Sequence, residues 1–145
     1  MEQLINNKKY RELVIKHMKE QLILFLQNSI EFSIVVHMDE GVDFNPSLPE
    51  EIISQFREYT IFTLAGYTFK SAFVENNTLI FEAGFGPDNI GAMVYVDLDR
   101  ILQIMLGDTP IFINITATAK KEINQPKNSF EIFASKNRNK KFFKK

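Results

Sequence analysis

The chain has 145 residues, of which 45% are hydrophobic, 24% charged and 12% aromatic. That length and composition suit one domain. The sequence contains no cysteine and two histidines. A disulfide framework, a thiol nucleophile and a cysteine-based zinc site are therefore excluded, and two histidines are too few for a three-histidine metal site.

The net charge of −1 is the sum of two unequal parts. Residues 116–145 carry nine Lys/Arg and two acids, a charge of +7, whereas residues 1–115 carry the remaining eight bases and sixteen acids, a charge of −8. Apolar residues become sparse beyond residue 115, while Lys and Asn accumulate. The sequence therefore predicts a folded acidic body over residues 1–115 and a largely disordered basic tail over residues 116–145.

The apolar runs are all shorter than the roughly 18 residues needed to cross a bilayer. Glu2 and several polar residues precede the first long apolar stretch, which is not the pattern of a signal peptide. We therefore expect a cytoplasmic protein without a membrane partner.

A helix is predicted over residues 8–27, because apolar residues recur there at the spacing of one helix face. The predicted face comprises Tyr10, Leu13, Val14, His17, Met18, Gln21, Leu22 and Phe25. Ile23, Leu24 and Leu26 add apolar surface outside this face. The helix therefore has a second apolar side to bury, which either a partner subunit or the remainder of the same chain could cover.

Short strands separated by turns are predicted along the rest of the body. They span residues 32–38, 59–64, 69–75, 78–83, 92–96 and 111–115, with short helices at residues 50–56 and 97–105, an extended connection at 39–49 and a loop at 84–91. Asn76 and Asn77 suit the tight turn of a hairpin because Asn tolerates positive φ. This order predicts a mainly β fold of the α+β class, a small antiparallel barrel or sandwich with an N-terminal helix beside it.

Residues that could carry catalysis are few and scattered. His37 lies in an apolar strand beside Asp39, and His17 lies on the helix face, so packing explains both better than a general base does. Asp88, Asp97 and Asp99 are more simply explained as capping and solvated acids than as cation ligands. The stretch at residues 84–87 lacks the Lys and Ser/Thr of a phosphate-binding loop. We therefore expect a binding protein rather than an enzyme, with no cofactor and no metal.

The basic tail ends in an unusual hexamer, KKFFKK at residues 140–145. Basic segments with aromatic residues can bind nucleic acid, although the acidic body would repel a polyanion. A pair of aromatic residues at the end of a polar linker also fits a short docking peptide, since a partner could bury Phe142 and Phe143. A generic solubilising tail is the third interpretation.

Three stretches, in this order, resemble the SspB (stringent starvation protein B) family of adaptors for the ClpXP protease. They are FSIVVHMDEGV at residues 32–42, followed by Pro46; YTIFTLA at residues 59–65; and LIFEAGFG at residues 79–86, the most specific of the three. The resemblance covers about residues 10–115, and the basic, aromatic terminus fits it as well. The chain departs from the family pattern where Pro87 replaces a loop glycine and Asp97 replaces a strand proline.

The resemblance implies an Sm-like β body, a homodimer formed through the N-terminal helix, and a groove for the ssrA degradation tag of incompletely synthesised proteins. It also implies a flexible linker whose last residues dock on the ClpX unfoldase. Carried over to this sequence, the tag-binding positions are Ala83, Gly84, Phe85 and Gly86, with Leu64, Ala65 and Gly66 on the preceding strand, and the docking positions are Lys141, Phe142, Phe143 and Lys144. The alternative function is an Sm-like RNA-binding module that uses the basic tail.

Overall fold

A computed structural model describes residues 1–119 of the chain. It is a small α+β fold with an N-terminal helix and two antiparallel sheets. The helices are α1 (Glu2–Ile5), α2 (Lys8–Gln27), α3 (Glu50–Ile53) and α4 (Gly66–Ser71). The strands are β1 (Phe32–His37), β2 (Val42–Asn45), β3 (Tyr59–Leu64), β4 (Phe73–Glu75), β5 (Thr78–Phe85), β6 (Ile90–Asp97), β7 (Ile101–Leu106) and β8 (Thr109–Ile113).

Each sheet has four strands. The first has the order β3-β1-β7-β8 and the second the order β2-β6-β5-β4. Within residues 1–119, no strand of one sheet pairs with a strand of the other. The fold is therefore two separate antiparallel sheets that are not closed into a barrel.

The core lies between the two sheets and is completed by α2. Alternate residues of a strand point to the same face, and in β5 the core-facing residues Leu79 and Phe81 are fully buried. They lie opposite Val96 and Val94 of β6, which are buried as well. One face of this sheet thus packs inward, and burying side chains of this size stabilises the fold by about 1.5–3 kcal/mol each.

The bounds of α2 agree with the predicted helix, residues 8–27. Its N-terminus is capped by Asn7, whose side-chain oxygen accepts a hydrogen bond from the Tyr10 N–H at 2.9 Å. Its buried residues are Val14, Met18, Leu22 and Phe25. Leu13 and Leu24, in contrast, are 64% and 52% exposed.

The predicted helix at residues 97–105 is wrong, because most of this segment forms β7 after a short 3-10 turn, Leu98–Arg100. Ile101 and Ile104 are both fully buried, although three-residue spacing is typical of a helix. The pairing explains this spacing: β7 has a register shift against β1, so that Ile104 lies opposite Ile34 and Ile101 opposite Val36. The extra residue of this β-bulge returns both side chains to the core face.

Other segments also differ from their predictions. The segment at residues 69–75 is a strand only at β4, since α4 begins at Gly66, where φ is +57°, and continues to Ser71. The predicted connection at residues 39–49 contains β2, which pairs with β6. The predicted loop at 84–91 is shorter, because β5 runs to Phe85 and β6 starts at Ile90.

The fold extends past residue 115, where the body was predicted to end. A 3-10 turn spans Ile115–Thr118, and within it Thr116 and Ala117 are buried. Asn114 orders this turn by accepting hydrogen bonds from the backbone N–H and the hydroxyl of Thr116. The predicted start of the tail at residue 116 therefore lies inside the folded part, and the tail from residue 120 onward lies outside the described residues.

Candidate functional site

The residues singled out on β5 divide between the two faces of their sheet. Ala83 and Phe85 share the core-facing side with Phe81, because side chains alternate along a strand. Both are half-buried and pack against the core. Gly84 lies on the opposite face and is exposed. The structure thus places Ala83 and Phe85 where the core reaches the surface.

The outer edge of β5 is open beyond the short strand β4. β4 pairs with Thr78–Ile80 of β5 only, and no other described strand lies on that side. The N–H of Glu82 points outward, since it donates to the Ser71 hydroxyl at 2.9 Å. Backbone groups of alternate residues point the same way, so Gly84 presents its N–H and C=O at this edge. We call the edge from Glu82 to Phe85 the β5 edge.

Helix α4 brings the second group of predicted residues beside the β5 edge. Leu64 is fully buried, so its side chain has no surface to offer a ligand. Ala65 and Gly66 are exposed at the start of α4, and the Gly66 N–H donates to Glu31 Oε2 at 2.9 Å. From the same helix, the Tyr67 hydroxyl donates to Glu82 Oε1 at 2.5 Å.

The Tyr67–Glu82 contact joins α4 to the β5 edge at an exposed position. The hydrogen bond to Glu82 and the charge of this carboxylate raise the pKa of Tyr67, because both favour the protonated phenol. Tyr67 is 68% exposed. A large aromatic side chain is therefore held at the surface next to open backbone groups.

Phe85 belongs to a cluster of phenylalanines that connects the two sheets. Its ring centroid lies 5.6 Å from Phe44, 6.0 Å from Phe56 and 6.4 Å from Phe62, each at a nearly perpendicular angle. The Phe44 and Phe56 rings are stacked, 5.5 Å apart. Edge-to-face and offset contacts of this kind favour a defined arrangement of rings. Phe44 and Phe56 were not predicted as site residues, because β2 and the segment after α3 meet β5 only in the folded chain.

Beside this cluster lies an open cleft of about 370 Å³. It is lined by Met38, Asp39, Val42, Phe44, Ile53, Phe56, Arg57 and Glu58. Its volume lies within the range of about 300–1,000 Å³ that is common for binding pockets. We call it the aromatic cleft. None of the predicted site residues within the described range, 1–119, lines it.

A buried polar network joins the cleft to the end of the described chain. His37 is 2% exposed; its Nδ1 lies 2.7 Å from the Ala117 carbonyl oxygen and its Nε2 lies 3.2 Å from Glu58 Oε2. Since a carbonyl oxygen only accepts, the short contact assigns a proton to Nδ1. The imidazole also stacks on Tyr59, 4.7 Å away. His37 therefore connects three separate parts of the chain, which is a structural role.

Arg100 completes this network from the 3-10 turn before β7. Its guanidinium donates to Asp39 Oδ2 at 2.7 Å and to Asp99 Oδ1 at 3.2 Å, and the Arg100 side chain is 4% exposed. A buried guanidinium needs such partners because an unpaired charge is costly to desolvate. Asp99 is thus an ion-pair partner.

Other kinds of site find little support in residues 1–119. No group of three or more His, Asp or Glu in this range could hold a metal ion. No helix in this range is both long enough and apolar enough to span a membrane. The predicted docking residues Lys141, Phe142, Phe143 and Lys144 lie outside the described residues.

This arrangement offers a peptide two kinds of contact. The β5 edge offers backbone hydrogen bonds, and the adjoining phenylalanine cluster offers apolar contacts. The chain matches no protein-family model and no curated protein.

Proposed function

We propose that this protein is a non-enzymatic adaptor with an Sm-like body, which binds the ssrA degradation tag of incompletely synthesised proteins and delivers them to the ClpXP protease. The observation that carries this proposal is the β5 edge, an open strand edge beside half-buried Ala83 and Phe85. The resemblance of residues 79–86 to the SspB family supplies the identity of the peptide.

The tag would bind at the β5 edge as an added strand. Gly84 offers an outward N–H and C=O, and these two groups would pair with the backbone of an extended peptide. Ala83 has a short side chain, so a peptide can approach β5 closely, and the Phe85 ring provides an apolar wall. Backbone pairing supplies affinity in this mode, while pockets for alternate side chains supply specificity.

Ala65 and Gly66 lie at the beginning of α4, which flanks the β5 edge. Both lack a long side chain, so they leave access to the edge open. Leu64 supports the site from within the core, since it is fully buried. Its role is to hold the end of β3 in place.

The tail would tether the adaptor to the protease. Residues 120–139 separate the folded part from KKFFKK, and in this proposal Phe142 and Phe143 are buried by the ClpX unfoldase, with Lys141 and Lys144 beside them. A linker of this length lets one protein hold its substrate and its protease at the same time. Weak contacts are then strengthened by effective concentration.

The exposed face of α2 would form the homodimer. Leu13 and Leu24 are exposed, and eleven positions are close to three helical turns, which places the two residues on one face. In an antiparallel pair of α2 helices related by a two-fold axis, Leu13 lies opposite the partner subunit's Leu24. His17 then lies opposite the partner subunit's Glu20. Such a self-complementary pattern is what a two-fold interface requires.

The test is the binding of a fluorescent ssrA-type peptide to the full chain, followed by anisotropy. Ala83→Gln places a bulky polar side chain beside the β5 edge, and we expect it to weaken binding at least 100-fold. Ile113→Gln, on an exposed position of β8, is the matched control and should bind as the unaltered chain does. Thermal unfolding followed by circular dichroism shows whether both variants keep the fold.

Normal peptide binding by a folded Ala83→Gln protein would contradict the assignment of the β5 edge. Salt distinguishes the tag from RNA, the alternative ligand. Displacement of several counterions makes the affinity for a polyanion fall steeply with the logarithm of salt concentration. We expect the peptide affinity to change little with salt, and no measurable RNA binding at physiological salt.

A further inference from the structure

The aromatic cleft has an apolar floor and a charged rim. Val42, Phe44 and Phe56 supply apolar surface, and Ile53 is 37% exposed at the cleft. Asp39 and Glu58 are the acidic lining residues, and Arg57 is the basic one. An exposed apolar cavity with polar groups at its margin is the usual form of a site that receives a side chain from elsewhere.

The chain around the cleft is strongly acidic. Seven of the eight lining residues belong to residues 39–58, and only Met38 lies outside this range. The segment contains six acids (Asp39, Glu40, Asp43, Glu50, Glu51 and Glu58) and a single base, Arg57, for a net charge of −5. Arg100, which pairs with Asp39, reduces the charge around the cleft to −4. The cleft therefore favours a ligand that is both cationic and apolar.

This chain carries such a ligand at its own end. KKFFKK combines two phenylalanines with four lysines. The described chain also ends close to the cleft: the Ala117 carbonyl oxygen accepts from His37, and the other ring nitrogen of His37 contacts Glu58, a lining residue. Residues 120–139 provide up to about 66–72 Å of extended chain. This exceeds by far the radius of gyration of about 14 Å expected for a domain of this size.

We propose that residues 140–145 bind the aromatic cleft of their own chain, with Phe143 against Phe44 and Phe56 and the lysines beside the acidic rim. The linker holds the segment at an effective concentration in the millimolar range, so a weak contact suffices to close the chain on itself. What this intramolecular contact means for delivery rests on the proposed function. The free adaptor hides its docking peptide, and the protease must compete with the cleft for it.

The natural sequence contains no tryptophan, which makes a single introduced indole a clean reporter. In the full chain carrying Phe143→Trp, we expect blue-shifted emission and weak quenching by acrylamide, because the indole lies against apolar side chains. Adding Ile53→Lys places a positive charge at the cleft, and we expect red-shifted emission and at least threefold stronger quenching. Ile113→Lys, at a more exposed position on β8, is the control and should leave the signal unchanged.

A second variant tests the charge argument in the opposite direction. Arg57→Glu replaces the one base among the described lining residues with an acid, so the indole should remain protected to higher salt concentration than in the chain with Phe143→Trp alone. Unfolding would expose the indole, so it cannot produce this added protection. An indole that is fully exposed in the otherwise unaltered chain, or that ignores Ile53→Lys, would overturn the proposal. Protection that depends on protein concentration would also overturn it, because closure within one chain is independent of concentration.

These measurements need neither tag nor protease. A protected indole in a protein that binds no ssrA-type peptide would therefore contradict the adaptor function and leave the closed chain intact. An exposed indole in a protein that delivers tagged substrates would contradict only the closure.

Discussion

Gly84 is a residue whose missing side chain leaves room for a neighbour. A Cβ built at Gly84 would overlap Asn89 Oδ1, whereas a Cβ at Gly91 would meet nothing within 4 Å. The two glycines lie opposite each other on β5 and β6. Asn89 itself has a φ of +51° in the turn that joins these strands. Alanine substitutions at the two glycines therefore separate the effect of the added side chain on the unfolded chain from the effect of the atoms that surround it in the fold.

We expect Gly84→Ala to lower the free energy of unfolding by about 0.5–1.5 kcal/mol, the cost of forcing the Asn89 side chain from its rotamer. Gly91→Ala should raise it by about 0.4–1 kcal/mol, because alanine reduces the entropy of the unfolded chain where the native backbone accepts it. Urea unfolding of both variants measures the difference. Equal changes in the two proteins would show that Asn89 does not constrain this position.

Residues of the candidate site differ in how far the sequence identifies them. Ala83, Gly84 and Phe85 are identified by the resemblance of residues 79–86 to the SspB family, and all three lie at or beside the surface. Phe44 and Phe56 are not, since nothing local distinguishes them from other phenylalanines. Their importance comes from ring contacts with Phe85, which is distant from both in sequence.

Among the elements, α2 is the one whose bounds the sequence determines best, because twenty residues contain no Gly or Pro and repeat with helical period. The sequence does not determine which side faces the core. Leu13 belonged to the predicted buried face but is exposed, and Leu24 is exposed on the same side. That apolar strip is the basis of the proposed dimer.

If α2 forms the dimer, Leu13→Lys and Leu24→Lys should each produce monomers. Each variant changes two contacts, because the two-fold axis repeats every contact. Burial of a leucine stabilises the interface by about 1.5–3 kcal/mol, so the dissociation constant of the dimer should rise at least ~100-fold. Sedimentation velocity at several concentrations measures the mass. Ile113→Lys, on exposed β8, is the control and should sediment as the unaltered chain does. A monomeric unaltered chain, or a Leu13→Lys protein that remains dimeric, would contradict the proposed interface.

Strand β7 shows why an element can be assigned wrongly from its pattern. The spacing of Ile101 and Ile104 is that of a helix, and it follows Asp97, a residue type that commonly caps helices but makes no capping hydrogen bond here. The bulge against β1 gives a strand the same spacing. Because a bulge depends on the partner strand, a single sequence does not reveal it.

At the scale of the whole molecule, the proposed delivery depends on two parts that act together. Removal of residues 140–145 should leave the affinity for an ssrA-type peptide unchanged within twofold, because the β5 edge is intact. The same deletion should abolish the stimulation of degradation of a tagged substrate by ClpXP. Gel-based degradation assays at low substrate concentration measure this effect, since tethering matters most there.

A matched control for this deletion is Lys120→Ala together with Lys121→Ala, which removes charge from the tail but keeps the terminal hexamer. This protein should still stimulate degradation. Equal stimulation by the deleted and the unaltered chain would contradict tethering by Phe142 and Phe143. Loss of stimulation in both variants would indicate that overall charge, and not the hexamer, is required.

The sequence by itself determined the charge division, the helix at residues 8–27, the strand at residues 59–64 and the Asn76-Asn77 hairpin, because each rests on composition or on local periodicity. Only the tertiary structure decided the open edge of β5, the contact of Phe85 with Phe44 and Phe56, and the cleft beside them. These features join residues that are distant in sequence, so their formation depends on how strands from two sheets pack. The net charge of −1 thus conceals a local arrangement in which an acidic, apolar cleft lies near the end of the described chain.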